Sequence, residues 1–214
     1  MDTRCPMSTQ VEMLTPSEVA VIAGVSLRDV HRIIDEHILP ESFYGTTQAR
    51  SFKRQACVFI CFYFGSADRL TSEERQRTIT LASEPSFDWK TPKNLVQNDF
   101  LTIDFAPFRQ AVDERLKRLH AARQIVVSDP DILSGTPVFK GTRVPVYDIA
   151  ASVSAGLSTD RILVAYPSLT RDQVELASLF AEANPQRGRP RHRTSLPAGA
   201  KVISTKRKSL RTSA

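Results

Sequence analysis

The stretch that most constrains the fold is residues 14–37, LTPSEVAVIAGVSLRDVHRIIDEH, in which Gly24, Val25 and Ser26 separate two helical patterns. Thr15 stands three residues before Glu18, with Pro16 at a permitted first-turn position, so the arrangement predicts a capping box and a helix start. Ser26 can cap a second helix, in which Leu27, Val30, Ile33 and Ile34 recur at helical spacing and predict the buried face. Arg28, His31, Arg32 and Asp35 form the opposite stripe. Two short helices joined by so tight a turn have the form of a helix-turn-helix, and the polar stripe is either a solvated face or a surface held out to a partner.

The residues after this pair of helices extend that reading. ILPESFYGTTQARSFKR reads as a strand, a polar turn and a second strand, before a helix begins near Arg54 and runs through CVFICFYF. This is the order of a winged helix-turn-helix, and the helix after the wing is apolar nearly all round, so it is expected to be buried against another part of the chain. LTPSEVAVIAGVS, Arg28, HILP and ARSFKRQA resemble the DNA-binding heads of MerR-type and excisionase-type regulators over about residues 13 to 60. The resemblance implies that the second helix enters the major groove while the wing lies on the DNA backbone. It makes Arg28, His31, Arg32, Gln48, Arg50, Lys53 and Arg54 the candidate contacts to operator DNA. Residues 13–55 hold five basic and five acidic side chains, a balance that supplies little non-specific pull on phosphate. Arg50, Lys53 and Arg54 nevertheless cluster on the wing and the helix start.

The middle of the chain carries no recognisable chemistry. TSEERQRTITLAS predicts a helix, PSFDWKTPKN a loop, FLTIDFAPF a strand, and RQAVDERLKRLHAA a helix with Ala111, Leu116 and Leu119 as apolar contacts. This segment either joins two domains or completes the first. Cys57 and Cys61 are one helical turn apart, but no second ligand pair stands at zinc-finger spacing, so they read as core thiols. With Cys5 they make an odd set of three, which argues against a disulfide framework.

From Ile125 the texture changes. Glycine and proline in SGTPVFKGTRVP enforce turns, after which VYDIAASVSAG, STDRILVAY and LTRDQVELASLFAEA predict three helices, the last capped by Thr170. The spacing around Lys140 and Gly141 is not that of a phosphate-binding loop. Gly141 instead supplies a turn, Pro145 starts a helix, and Arg143 is placed to bond an acid such as Asp129 or Asp148. Asp129, Pro130, Gly135, Pro137, Gly141, Thr142, Arg143, Val144, Pro145, Val146, Gly156, Tyr166, Pro167 and Leu169 carry a pattern that resembles small domains of VapB-type antitoxins. Ser134 departs from it, standing where a glycine or similar small residue is expected. The resemblance implies that this region helps the protein dimerise.

The C-terminal thirty residues are the most basic. Residues 185–214 hold nine of the 29 lysines and arginines and no acid, which leaves 20 basic against 23 acidic residues, a net charge of −3, in residues 1–184. This tail has three readings. RGRPR is the core of an AT-hook, suited to the A·T minor groove. Nine like charges with few apolar residues also describe a solvated disordered tail. The resemblance to VapB-type antitoxins implies a third use, wrapping a PIN-domain ribonuclease toxin and setting a basic side chain among the carboxylates that hold its magnesium. On that reading Arg187, Arg189, Arg191, Arg193, Leu196, Val202, Ile203, Lys206 and Arg207 contact the toxin, because SLPAGAKVIS is an apolar interruption that can fold into a groove.

No apolar run reaches the length of a membrane span, and MDTRCPMSTQ lacks the features of a signal peptide, so a soluble cytoplasmic protein is expected. The four histidines are scattered, and local motifs assemble no catalytic site, metal site or cofactor site. The expected fold is mainly α with small β elements: a flexible N-terminus (1–12), a winged helix-turn-helix (13–66), a helical connector (67–124), a three-helix antitoxin-type domain (125–184) and a disordered basic tail (185–214). The expected function is that of a non-enzymatic antitoxin that represses its own operon by binding operator DNA, as a homodimer or a higher hetero-oligomer with its PIN-domain toxin. The alternative is a stand-alone DNA-binding regulator with an AT-hook-like tail.

Overall fold

A computed structural model describes residues 13–46, 49–84, 87, 95–98 and 101–186. The fold is mainly helical with small antiparallel sheets. Strand β1 (Met13–Leu14) leads into helix α1 (Pro16–Ala23), and α2 (Leu27–Asp35) follows the glycine turn. The Thr15 hydroxyl accepts from Glu18 N–H at 3.4 Å while the Glu18 carboxylate accepts from Thr15 N–H at 2.8 Å, which closes the expected capping box. Ser26 caps α2 through Asp29 N–H at 3.1 Å. Strands β2 (Tyr44–Gly45) and β3 (Ser51–Lys53) form a hairpin, and β1 pairs with β3 on its other side, giving the order β1-β3-β2. Helix α3 (Arg54–Gly65) follows directly.

Two expectations change in this part. Leu27 is 42% exposed, because it opens α2 on the rim of the head while Val30, Ile33 and Ile34 face inward from the later turns. Ile38 and Leu39, read as part of a strand, are buried without being one: His37 adopts φ +50°, which turns the chain sharply and drops both side chains into the core.

Helix α4 (Ser72–Ala82) starts from a capping box between Thr71 and Glu74. Strands β4 (Leu95–Asn98) and β5 (Leu101–Asp104) pair antiparallel; β4 has no counterpart among the elements expected from sequence. Helix α5 (Ala106–Gln124) buries Val112, Leu116, Leu119 and Ala122, so the inward side chain near its start is Val112 rather than Ala111. One hydrophobic core runs from Leu14 through α1, α2, α3 and α4 to Leu119, and the apolar surface of α3 is covered from this middle segment. Phe105 lies at its centre, with ring centroids 4.8 Å from Phe62 and 6.0 Å from Phe59. Cys57 is buried in the same core and Cys61 half-buried at its edge.

The remaining elements are β6 (Val126–Val127), β7 (Val138–Phe139), α6 (Val146–Ser154), α7 (Thr159–Ala165) and α8 (Arg171–Ala183). Pro145 is the N-cap of α6, and Gly141 adopts φ +77°. Phe139, Val146, Ile149, Ile162, Leu169, Val174 and Ala177 form a second core. Helix α8 belongs to both cores: it packs on α6, and it also lies on α5 and α1, where Ala183 is buried in the first core. Arg143 does not take the expected partner. It is exposed and bonds to none of the described residues, while the Asp129 carboxylate accepts from Asp131 N–H at 3.0 Å and so closes its own turn.

Ser134 adopts φ +56° and ψ +39°, the left-handed region that favours glycine, which gives a physical reason for the small residue expected there. Ser134→Gly removes that penalty but adds chain entropy to the unfolded state, so a net gain of about 0.5 to 1 kcal/mol is expected in urea unfolding. A loss of stability in the variant would contradict this account.

Candidate nucleic-acid interface

Helix α2 and the β2–β3 hairpin are tied together by three side chains. Arg50, just before β3, contacts His31 Nδ1 at 2.9 Å through Nη1 and donates to the Asp35 carboxylate at 2.7 Å through Nη2. His31, Asp35 and Arg50 therefore meet on one surface. Arg32 turns elsewhere. It makes a two-pronged bond to Glu36, at 2.9 and 3.1 Å, and its guanidinium lies 5.9 Å from the Phe64 ring centroid. The Arg32 hydrogen bond holds the Glu36 carboxyl below its ordinary range, so the pair persists at neutral pH and is lost only as the pH falls through that lowered value.

Arg54 is directed away from this surface and donates to Asp113 of α5 at 2.7 Å. Arg28 is exposed, Lys53 half-exposed, and neither forms an ion pair among the described residues. Gln48 lies outside the described residues, as do Arg187, Arg189, Arg191, Arg193, Leu196, Val202, Ile203, Lys206 and Arg207 and the whole of residues 1–12. Of the basic side chains expected to meet DNA, Arg28 and Lys53 are thus uncommitted, and Arg50 is shared with an acid of α2.

The structure adds residues that sequence patterns did not single out. Arg115 of α5 reaches the turn between α1 and α2, where it donates to Ala23 O at 3.2 Å and to Ile22 O at 3.5 Å. These carbonyls end α1 and lack helical partners, so Arg115 acts as a C-terminal cap supplied from 92 residues downstream. Gly24, at φ +72°, leaves the room for it: a Cβ there would lie 2.8 Å from the Arg115 Cζ. Arg123, near the end of α5, forms an ion pair with Glu18 of the capping box. Both ends of α1 are therefore fastened by α5. Nothing in local sequence pairs Arg115 with Ala23, because the contact depends on how α5 crosses the head.

A groove of about 560 Å³ borders the surface, lined by Thr15, Leu27, His31, Arg50, Tyr147 and Gln186, among others. Tyr147 Oη donates to Asn184 O at 2.7 Å and fixes the chain where α8 ends. Burial pushes the Tyr147 hydroxyl pKa up, so the group keeps its proton and remains a donor. Among the described residues, no cluster of three or more histidines, cysteines or acids could hold a metal ion. No helix among them is long and apolar enough to cross a membrane.

Comparison with known proteins adds three likenesses. Residues 126–181, from β6 through most of α8, match a family described as a protein of unknown function, DUF433. Over 209 residues the chain is 52% identical to the uncharacterized protein y4eO of Sinorhizobium fredii (strain NBRC 101917 / NGR234), covering 94% of this chain and 95% of that one. The chain belongs to the y4eO family. The likeness to y4eO takes in the head and α5 as well as the DUF433 match, since it covers nearly the whole chain. A crystal structure of Rv2018 from Mycobacterium tuberculosis aligns over 77% of this chain and 95% of that chain at 15% identity, with a TM-score of 0.29.

Proposed function

We propose that this protein is a cytoplasmic antitoxin that binds operator DNA through α2 and the β2–β3 hairpin and neutralises a PIN-domain ribonuclease through its basic tail. The observation that carries the DNA half is the bonded surface of His31, Asp35 and Arg50, which sets a capped helix and a hairpin in one orientation beside the exposed Arg28. A helix presented in this way suits the major groove, and a hairpin beside it suits the phosphate backbone. Support for the toxin half comes from the tail composition and from the VapB-like pattern of residues 129–169, several of whose members occupy the turns at Gly135, Gly141 and Gly156. On this reading the protein acts as a homodimer or a hetero-oligomer with the toxin.

Co-expression with a PIN-type toxin encoded beside it should yield a stable complex with suppressed RNase activity. Truncation after Gln186 should release that activity; continued suppression would sink the neutralisation claim. Recovery of a DNA-binding protein with no PIN-domain partner would favour a stand-alone regulator instead.

The acids on α2 give the DNA half its own prediction. Asp35→Asn frees Arg50 and removes a negative charge beside the duplex, so affinity for mixed-sequence DNA should rise by roughly 3- to 10-fold. The salt slope should steepen by about 0.9 if Arg50 gains one phosphate. Fluorescence anisotropy across a salt series measures both, and an unchanged slope would remove Arg50 from the interface.

A further inference from the structure

We infer that the groove where α1, α5 and α8 meet is a binding site for an amphipathic monocarboxylate, a small molecule with an apolar body and one negative head group. The site is independent of the DNA and toxin roles proposed for the chain. Its volume is about 500 Å³, inside the roughly 300 to 1,000 Å³ of small-molecule sites. The apolar lining comes from Ala20 and Val21 of α1, Val25 and Leu27 around the turn, and Leu179 of α8. Ala20, Val21, Val25 and Leu179 pack against the first core yet are only partly buried, and Leu27 is 42% exposed. Covering this open apolar surface with a ligand of like chemistry is favourable. Helices α1 and α5 lie outside residues 126–181, so the segment that matches DUF433 does not form the groove by itself.

The charged side chains of the lining select the head group. Arg115 and Arg118 are three residues apart on α5, so they enter the groove from the same side. The Arg115 guanidinium makes its three bonds through Nη1, to Ala23 O at 3.2 Å, Ile22 O at 3.5 Å and Cys61 Sγ at 3.8 Å. Nη2 and Nε make no hydrogen bond to the described residues, although the side chain is half-buried. A Cβ on Gly24 would lie 2.8 Å from Cζ and 2.9 Å from Nη1 and Nη2, so the glycine sits against the guanidinium face and does not cover this second edge. A carboxylate on the Nη2–Nε edge would accept two parallel N–H bonds while Nη1 continues to cap α1. Arg118 is exposed and forms no ion pair among the described residues. Glu182, exposed on α8, adds one negative charge to the lining. Two arginines and one glutamate leave a net charge of +1, which favours a singly charged head over a doubly charged phosphate monoester.

The test titrates the full-length protein with sodium octanoate by isothermal titration calorimetry and follows the backbone amides by NMR. We expect a dissociation constant on the order of 100 μM, with the largest amide shifts at Gly24, Val25 and Leu179. Octanol, equally apolar but uncharged, should bind at least about 10-fold more weakly. Arg118→Glu reverses one exposed charge without touching either core, and should weaken octanoate binding by roughly 10-fold. Arg115→Lys keeps the charge but not the fork of donors, and should weaken it by roughly 3- to 10-fold. Circular dichroism checks that both variants are folded. Equal affinity for octanol and octanoate, or unchanged octanoate affinity in Arg118→Glu, would overturn the site. So would amide shifts centred outside the groove, or no binding of octanoate below roughly 5 mM.

Discussion

Phe105→Ala is expected to lower the unfolding free energy of the full-length chain by about 3 to 5 kcal/mol, a large share of the roughly 5–15 kcal/mol typical of folded domains. Phe105 is fully buried, and its ring lies within 6.4 Å, centroid to centroid, of Phe59, Phe62, Phe87 and Phe108. Truncation removes these ring contacts and leaves a cavity that the backbone at the start of α5 is poorly placed to fill, because Phe105 is also the residue from which that helix begins. Chemical denaturation with tryptophan fluorescence and circular dichroism measures the loss, and a change below about 1 kcal/mol would show that the middle segment is not part of the first core. The same packing predicts that a fragment ending at Ser66 will not fold alone, since it would expose Phe59 and Phe62.

Gly24→Ala should cost about 2 to 5 kcal/mol and, on the proposed reading, weaken DNA binding beyond what the loss of folded protein explains. Two penalties combine. An alanine at φ +72° costs about 1 to 2 kcal/mol for the left-handed conformation. Its Cβ would lie 2.8 Å from the Arg115 Cζ and displace a guanidinium that bonds the last carbonyls of α1, at about 1 to 3 kcal/mol for the groups left unpaired. Because this turn sets the angle between α1 and α2, anisotropy on the folded fraction should show reduced affinity at constant salt slope. Arg115→Lys, which keeps the charge but not the fork of donors, should show a weaker form of the same defect. Equal stability of Gly24→Ala and the parent would refute the lock.

Much of the head could be read from local spacing. The capping pairs Thr15 with Glu18 and Ser26 with Asp29 lie three residues apart, and such contacts are fixed by helix geometry alone. Helices α7 and α8 show the same local spacing, with Ser158 and Thr170 at their caps. What sequence could not show was how α5 and α8 lie on α1, because Arg115, Arg123 and Ala183 meet it only through tertiary packing. The candidate surface divides in the same way. Periodicity put Arg28, His31 and Arg32 on one stripe, but the partners of Arg32 and Arg54 depend on neighbouring acids on α2 and α5. Whether an arginine is available to a phosphate depends on those neighbours, which the stripe does not reveal.

The fastening of α1 by α5 and α8 bears on biosynthesis. Glu18 waits for Arg123, Ala23 for Arg115, and the rest of the α1 surface for Ala183, so the contacts of the first helix are completed from more than ninety residues away. Long-range closure of this kind slows folding and disfavours early independent maturation. During translation the packing of α1 must therefore wait until α8 has been made, and the basic segment comes immediately behind it. A nascent chain would complete its first core and gain its charged tail within the same short interval, so ribosome-bound intermediates keep α1 incompletely packed.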